Sequence, residues 1–136
     1  MIENCSTESD LYKSFWVSAS RGELCFPKCL DCNRFHWYPM ERCPYCLGAT
    51  IEWTKIEPVG SIFTFTTVRH VFDSSFDLPT PFVIALIEFE AAPEVRLISN
   101  IIDDIDKLEI GMRVRALFQQ NDEKWKVLFR PIRTPK

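Results

Sequence analysis

A mostly β chain in three parts is what this sequence predicts: a short N-terminal helix, a rubredoxin-like ribbon, and a five-stranded barrel of the OB type. Two observations carry it. Cys29, Cys32, Cys43 and Cys46 stand in a C-x2-C-x10-C-x2-C pattern, and the residues beyond position 60 hold five strand-length stretches of apolar character. The parts are expected at 1–22 for a helical arm, 23–54 for the ribbon and 55–136 for the barrel. A hydrophobic content of 46% and a charged content of 26% suit a globular chain with a core of its own.

The helix is expected over residues 7–20. Thr7 and Asp10 form a variant capping box, with Asp in place of Glu or Gln. Leu11 with Phe15 and Tyr12 with Trp16 pair at i,i+4 spacing, and Arg21-Gly22 supplies the stop. So short a helix is unstable alone, so its aromatic face must dock. Two destinations are open: the chain's own core or a partner subunit.

In the ribbon, each C-x2-C pair lets one tight turn aim two sulfurs at a single point. The ten intervening residues can fold the second turn over the first, so that four thiolates surround one cation tetrahedrally, the ligand set of structural zinc. Asn33 tolerates the left-handed conformation after Cys32, and Pro44 and Gly48 frame the second turn. Two disulfides, free thiols or iron are the alternatives, and the lack of any sign of secretion favours the metal. With all four positions filled by sulfur, zinc here stabilises the fold, by about 10–16 kcal/mol in comparable sites, and has no open position for catalysis. Phe35-His36-Trp37-Tyr38-Pro39 is expected as a middle strand, with His36 packed among aromatics and not bound to metal. Cys5 and Cys25 read as inert thiols.

The barrel strands are expected at 61–68, 82–89, 95–101, 112–119 and 124–130, with a helical turn at 103–108. Phe63, Phe65 and Thr67 alternate with Ile62, Thr64 and Thr66. Trp125, Val127 and Phe129 alternate with Lys124, Lys126 and Leu128. Turns fall at Ala91-Ala92-Pro93-Glu94 and Gln120-Asn121-Asp122. Five strands with one helical insertion between the third and fourth are the pattern of a small Greek-key barrel.

Charge and hydropathy exclude several classes. The longest apolar run, Pro81 to Ile87, is far short of the ~20 residues of a membrane span, and the first residues lack the basic and apolar regions of a signal peptide. A cytoplasmic location is the expectation. The formal net charge of −3 makes the chain a poor general binder of nucleic acid. From residue 124 onward, Lys124, Lys126, Arg130, Arg133 and Lys136 are interrupted by no acid. They form either a solvated strand face or a local site for phosphates.

The order of helix, four-cysteine ribbon and barrel resembles a bacterial and archaeal family of zinc-ribbon/OB-fold acyl-CoA-associated proteins, long catalogued as a domain of unknown function. The resemblance covers nearly the whole chain. It rests on Arg21-Gly22-Glu23-Leu24, the two C-x2-C pairs, Glu52-Trp53, Gly60 to Thr66, Pro81 to Glu88, Leu97-Ile98-Ser99-Asn100, Ile110 to Val114 and Phe129-Arg130-Pro131. One departure is visible. Members usually place Gly directly after the last cysteine, where this chain has Leu47 before Gly48.

The resemblance implies a small, non-catalytic subunit of a thiolase-fold enzyme: a thiolase, a hydroxymethylglutaryl-CoA synthase assembly, or an aldolase that shortens acyl-CoA side chains. A thiolase of the benzoylsuccinyl-CoA-cleaving type is one such complex. The partner would carry the nucleophile, and this chain would complete a hetero-oligomer and help shape its acyl-CoA site. On that reading Arg69 and His70, at the start of a long loop over 69–80, face a CoA phosphate or acyl carbonyl. The alternative for them is an exposed loop away from the chemistry. Tyr12, Phe15, Trp16, Phe72 and Phe76 would form the partner interface. Two other functions compete: a single-stranded nucleic-acid-binding module, suggested by the barrel and its basic last strand, and an iron-based electron carrier. No Ser/His/Asp or Cys/His constellation is visible, so activity in the isolated chain is not expected.

Overall fold

In this computed structural model, residues 10–70, 80–121 and 124–132 are described. A 3-10 turn, Asp10–Tyr12, leads into helix α1, Lys13–Ala19. Its end is built by a Schellman motif. Gly22 sits at φ 73°, where a side chain would be strained. Its N–H donates to the Ala19 carbonyl at 3.0 Å, and the Glu23 N–H donates to the Ser18 carbonyl at 2.9 Å. The stop expected at Arg21-Gly22 therefore has a backbone cause, while the proposed cap at Thr7 lies outside the described residues.

Of its two possible destinations, the helix takes the chain's own core. Phe15 and Trp16 are 1% and 6% exposed, so their reading as a partner interface is corrected. A seven-residue helix has little stability of its own and is held in place by burying these rings. Tyr12 is half-buried and meets the Trp37 ring edge-on at 5.9 Å. Phe72 and Phe76 lie outside the described residues.

Strands β1 (Leu24–Cys29) and β2 (Ile51–Ile56) form an antiparallel pair running from Leu24↔Ile56 to Cys29↔Ile51. The expected middle strand at Phe35-His36-Trp37-Tyr38-Pro39 does not form. It reduces to one bridge between Lys28 and Phe35, followed by a His36 N–H bond to the Pro27 carbonyl at 3.0 Å. Its side chains leave the ladder because they are recruited elsewhere: the Trp37 ring packs against Phe15, Phe26 and Tyr12.

Strands β3 (Val59–Val68), β4 (Phe82–Glu88), β5 (Arg96–Ile101), β6 (Arg113–Asn121) and β7 (Lys124–Pro131) close a barrel in the order β3-β4-β5-β7-β6. A 3-10 turn at Ile105–Lys107 joins β5 to β6. All pairings are antiparallel except β5 with β7. This is the five-stranded OB architecture. The parallel seam is short, with one register pair at Ile101↔Phe129. It is reinforced by the buried Ser99 hydroxyl, which donates to the Val127 carbonyl at 2.6 Å. Asn100, also buried, donates through Nδ2 to the Val83 carbonyl at 2.9 Å and stitches β5 to β4. Satisfying both groups removes the cost of burying them.

Simple alternation fails in β3. The register shifts between Ile62 and Thr64, so Ile62 pairs inward before the bulge and Phe65 packs on the core after it. Phe63 is thrown out to 45% exposure, where the Arg96 guanidinium covers its ring at 4.6 Å. Arg96 is held from its other side by Glu88 at 3.7 Å.

One aromatic column joins the three parts. Trp37 contacts Phe15 at 5.0 Å and Phe26 at 5.3 Å. Phe26 contacts Phe89 at 5.2 Å, and Phe89 reaches Phe129 at 6.1 Å. The column runs from helix and ribbon into the barrel. Among the described residues, no helix is long and apolar enough to cross a membrane. Because Trp16 belongs to this core, Trp16→Ala should cost ~3–5 kcal/mol of stability. That loss should appear as a lowered thermal unfolding midpoint of the isolated chain.

Candidate metal centre

The two turns that hold the cysteines hang from the end of the β1–β2 pair. Cys29 is the last residue of β1. Its N–H donates to the Arg34 carbonyl at 2.8 Å, and its carbonyl accepts from the Asn33 N–H at 2.8 Å. That closes the first turn, with Asn33 at φ 65°, the conformation for which its side chain is suited. The second turn repeats the pattern. The Cys43 N–H donates to the Gly48 carbonyl at 2.9 Å, and the Leu47 N–H donates to the Cys43 carbonyl at 2.9 Å.

The departure at Leu47 has a visible consequence. Leu47 adopts φ 64°, the left-handed conformation that glycine takes freely and that costs other residues roughly 1–2 kcal/mol. Gly48 answers a different need. A Cβ there would strike the Asp31 carboxylate, so glycine lets the second turn approach the first without displacing that side chain. The Leu-Gly order thus divides two demands between two residues and leaves the first unmet.

Together the turns bring Cys29, Cys32, Cys43 and Cys46 within 4.8 Å of one another, sulfur to sulfur. Cys29 and Cys46 are 3.5 Å apart, as are Cys32 and Cys43. Backbone N–H groups point at two of the sulfurs, Tyr45 at Cys43 and Gly48 at Cys46, each at 3.4 Å. Cys29 and Cys43 are buried, Cys32 is half-buried and Cys46 is exposed. The crowding divides the thiols electrostatically. Burial, with hydrogen bonds from the neighbouring cysteines, pushes Cys32 up to about 12. Cys43 also feels burial, but the N–H groups of Cys46 and Tyr45 outweigh it and bring the thiol down to about 7. Four sulfurs this close cannot all hold negative charge without a cation between them, and all four are placed to ligate one.

His36 stands outside this cluster. It is 1% exposed, neither ring nitrogen has a hydrogen-bond partner among the described residues, and burial lowers its pKa from 6.5. It is a neutral core histidine, as its aromatic neighbours suggest. Cys25 is buried in β1, and Cys5 lies outside the described residues. Arg69 and His70 are exposed just beyond the end of β3. They lie outside the four-cysteine cluster found among the described residues. Gly48's tight approach to Asp31 was missed from sequence, for contact across the two turns leaves no local signature.

The sequence and the fold both have known relatives. A family model described as the ChsH2 rubredoxin-like zinc ribbon domain matches residues 16–52, and one described as the ChsH2 C-terminal OB-fold domain matches residues 53–119. A DUF35 domain-containing scaffold protein of Methanocaldococcus jannaschii is 33% identical over 98 residues, which span 71% of this chain and 67% of that protein. Among solved structures, an Ltp2-ChsH2(DUF35) aldolase chain superposes with a TM-score of 0.81 at 23% identity, covering 93% of this chain and 98% of that one. A DUF35 protein of unknown function from Sulfolobus solfataricus superposes with a TM-score of 0.66 at 17% identity, covering 93% and 89%. At these identities the two structures show a shared fold.

Two outcomes test the site. Cys43→Ser should lose bound metal, measured by elemental analysis of the purified chain, and should lower the unfolding midpoint, because metal binding and ribbon folding are one equilibrium. Leu47→Gly should relieve the left-handed strain and raise stability by ~0.5–1 kcal/mol, measured by denaturant unfolding with metal bound.

Proposed function

The chain belongs to the DUF35 family of paired zinc-ribbon and OB-fold proteins, and on that premise we propose that it is a zinc-holding accessory subunit of a CoA-dependent, thiolase-fold enzyme. One observation carries the reading. The metal-ligating cluster found among the described residues is made of four cysteines, a set that fills a tetrahedral shell and leaves no position for substrate or water. Zinc is the cation such a ribbon is built for. Its chemistry here is to neutralise the thiolates and hold two turns together. Thiolysis or aldol cleavage of an acyl-CoA would be the partner's work, with its own nucleophile and base.

The relatives support a supporting role. The archaeal one is described as a scaffold protein, and the Ltp2-ChsH2(DUF35) structure is described as an aldolase. The barrel surface argues in the same direction. OB barrels commonly bind oligonucleotides on the face of their second and third strands. Here the outward residues of β4 and β5 include half-buried Ile84, Leu86 and Ile98, flanked on β3 by exposed Thr64 and Thr66. Aliphatic side chains offer no stacking platform for bases, so this face suits protein contact better than single-stranded nucleic acid. Within such a complex, Arg69 and His70 at the end of β3 would be the residues to meet the CoA phosphates or acyl carbonyl.

A tagged chain expressed in its native host should therefore co-purify with a larger protein. The pair should cleave an acyl-CoA while the isolated chain does not. Arg69→Ala should raise KM for the acyl-CoA more than it lowers kcat, as expected when a binding contact is removed. Thiolytic or aldol activity in the pure chain alone would refute the accessory role.

A further inference from the structure

Charge in this chain is strongly segregated. Residues 113–136 carry seven cations and two acids, a net of +5, against nine cations and 17 acids, a net of −8, in the remainder. The fold concentrates part of that excess. Strand β6 lies between β3 and β7, and its Arg115 stands directly opposite Arg130 of β7. Arg113, two residues earlier, projects from the same face of β6. All three are exposed. Like charges placed directly across a strand pair repel and destabilise the pairing, so packing gives no reason for this arrangement.

The surroundings neutralise it only in part. Asp103 meets Arg130 at 3.3 Å. Arg113 lines a cavity of about 210 Å³ at the β3–β6 seam with Ser61, Glu90 and the backbone of Gly60 and Gly111. Among the described residues, Arg113 and Arg115 make no ion pair. We propose that the β6–β7 face, built on Arg113, Arg115 and Arg130, docks an acidic segment of a protein partner, in which carboxylates take the three guanidinium groups. The proposal rests on the accessory-subunit reading and supplies the chemistry of one contact.

Carboxylates fit this face better than a nucleic-acid backbone does. On the arginines' side of β6 and β7 stand half-buried Leu117 and Lys126, exposed Gln119 and buried Leu128, so among the described residues the ladder around the arginines presents no aromatic ring for a base to stack on. Arg130 already takes a carboxylate. The remaining acidic surface would repel an extended polyanion and leave a short acidic segment unhindered.

The test uses the full chain with zinc bound and a short oligo-L-glutamate peptide as probe. At about 20 mM NaCl the peptide should shift the backbone amide resonances of residues 113–115 and 130, and about 300 mM NaCl should abolish the effect. Arg113→Glu with Arg115→Glu should weaken binding ~tenfold or more. Arg115→Glu turns a like pair with Arg130 into an opposite pair, so the unfolding midpoint should not fall, and a loss of binding cannot be assigned to misfolding. The proposal is overturned if the peptide shifts are absent or fall elsewhere, if the double variant binds unchanged, or if an oligothymidylate of equal charge binds more tightly. The native partner separates the two readings. A co-purified complex that survives the double variant at low salt refutes this face and leaves the accessory role standing. Peptide binding without any co-purified partner does the reverse.

Discussion

The aromatic column from Trp37 through Phe26 and Phe89 to Phe129 is the interaction on which the rest of the molecule depends. Neither the helix nor the ribbon has enough apolar surface to fold alone, and both borrow it from this column. Phe26 makes the decisive contact. It is fully buried in β1 and touches the helix through Phe15, the ribbon through Trp37 and the barrel through Phe89. Tilted and edge-on ring pairs of this kind add about 0.5–1.5 kcal/mol each beyond the area they bury. They also fix orientation, which aliphatic packing does less well.

The ribbon is consequently pinned at both ends by different physics. Toward the barrel it is held by rings that exclude water. At its far end it is held by sulfur, where Cys46 is exposed and the surrounding residues Leu30, Tyr45 and Leu47 reach solvent. The first attachment is non-directional and tolerant. The second is directional and depends on two turns meeting within the reach of one ion. Position 48 lies at that meeting point, where a methyl group would have to displace the Asp31 side chain.

Much of this was legible in the sequence, and the exceptions share a cause. The cysteine spacing and the helix stop at Gly22 are local signals, each written within a few residues. Three features are not legible in the sequence. The middle ribbon strand failed because Trp37 was claimed by the core. The alternation in β3 failed because a bulge moved Phe63 outward and Phe65 inward. The helix face was left open between two destinations because its partner surface, β1 and β7, is assembled from distant parts of the chain. Each depends on contacts that exist only once the tertiary fold is complete. The placing of Arg115 opposite Arg130 belongs to the same class, for strand register cannot be read from two arginines fifteen residues apart.

Closure of the barrel has a consequence for how such a chain survives without company. From β3 round to β6, every strand has a paired neighbour at each side, through only one register pair at the β5–β7 seam and three at β3–β6, so no strand is left as a full-length open edge on which another chain could grow. Open sheets of this size are templates for fibrils unless charge or proline guards them. On the accessory-subunit reading, a chain made in excess over its partner keeps apolar side chains partly on show, among them half-buried Ile84, Leu86 and Ile98. Here that exposure is made safe by topology, since side chains can be stripped of water reversibly while backbone pairing between chains is hard to undo.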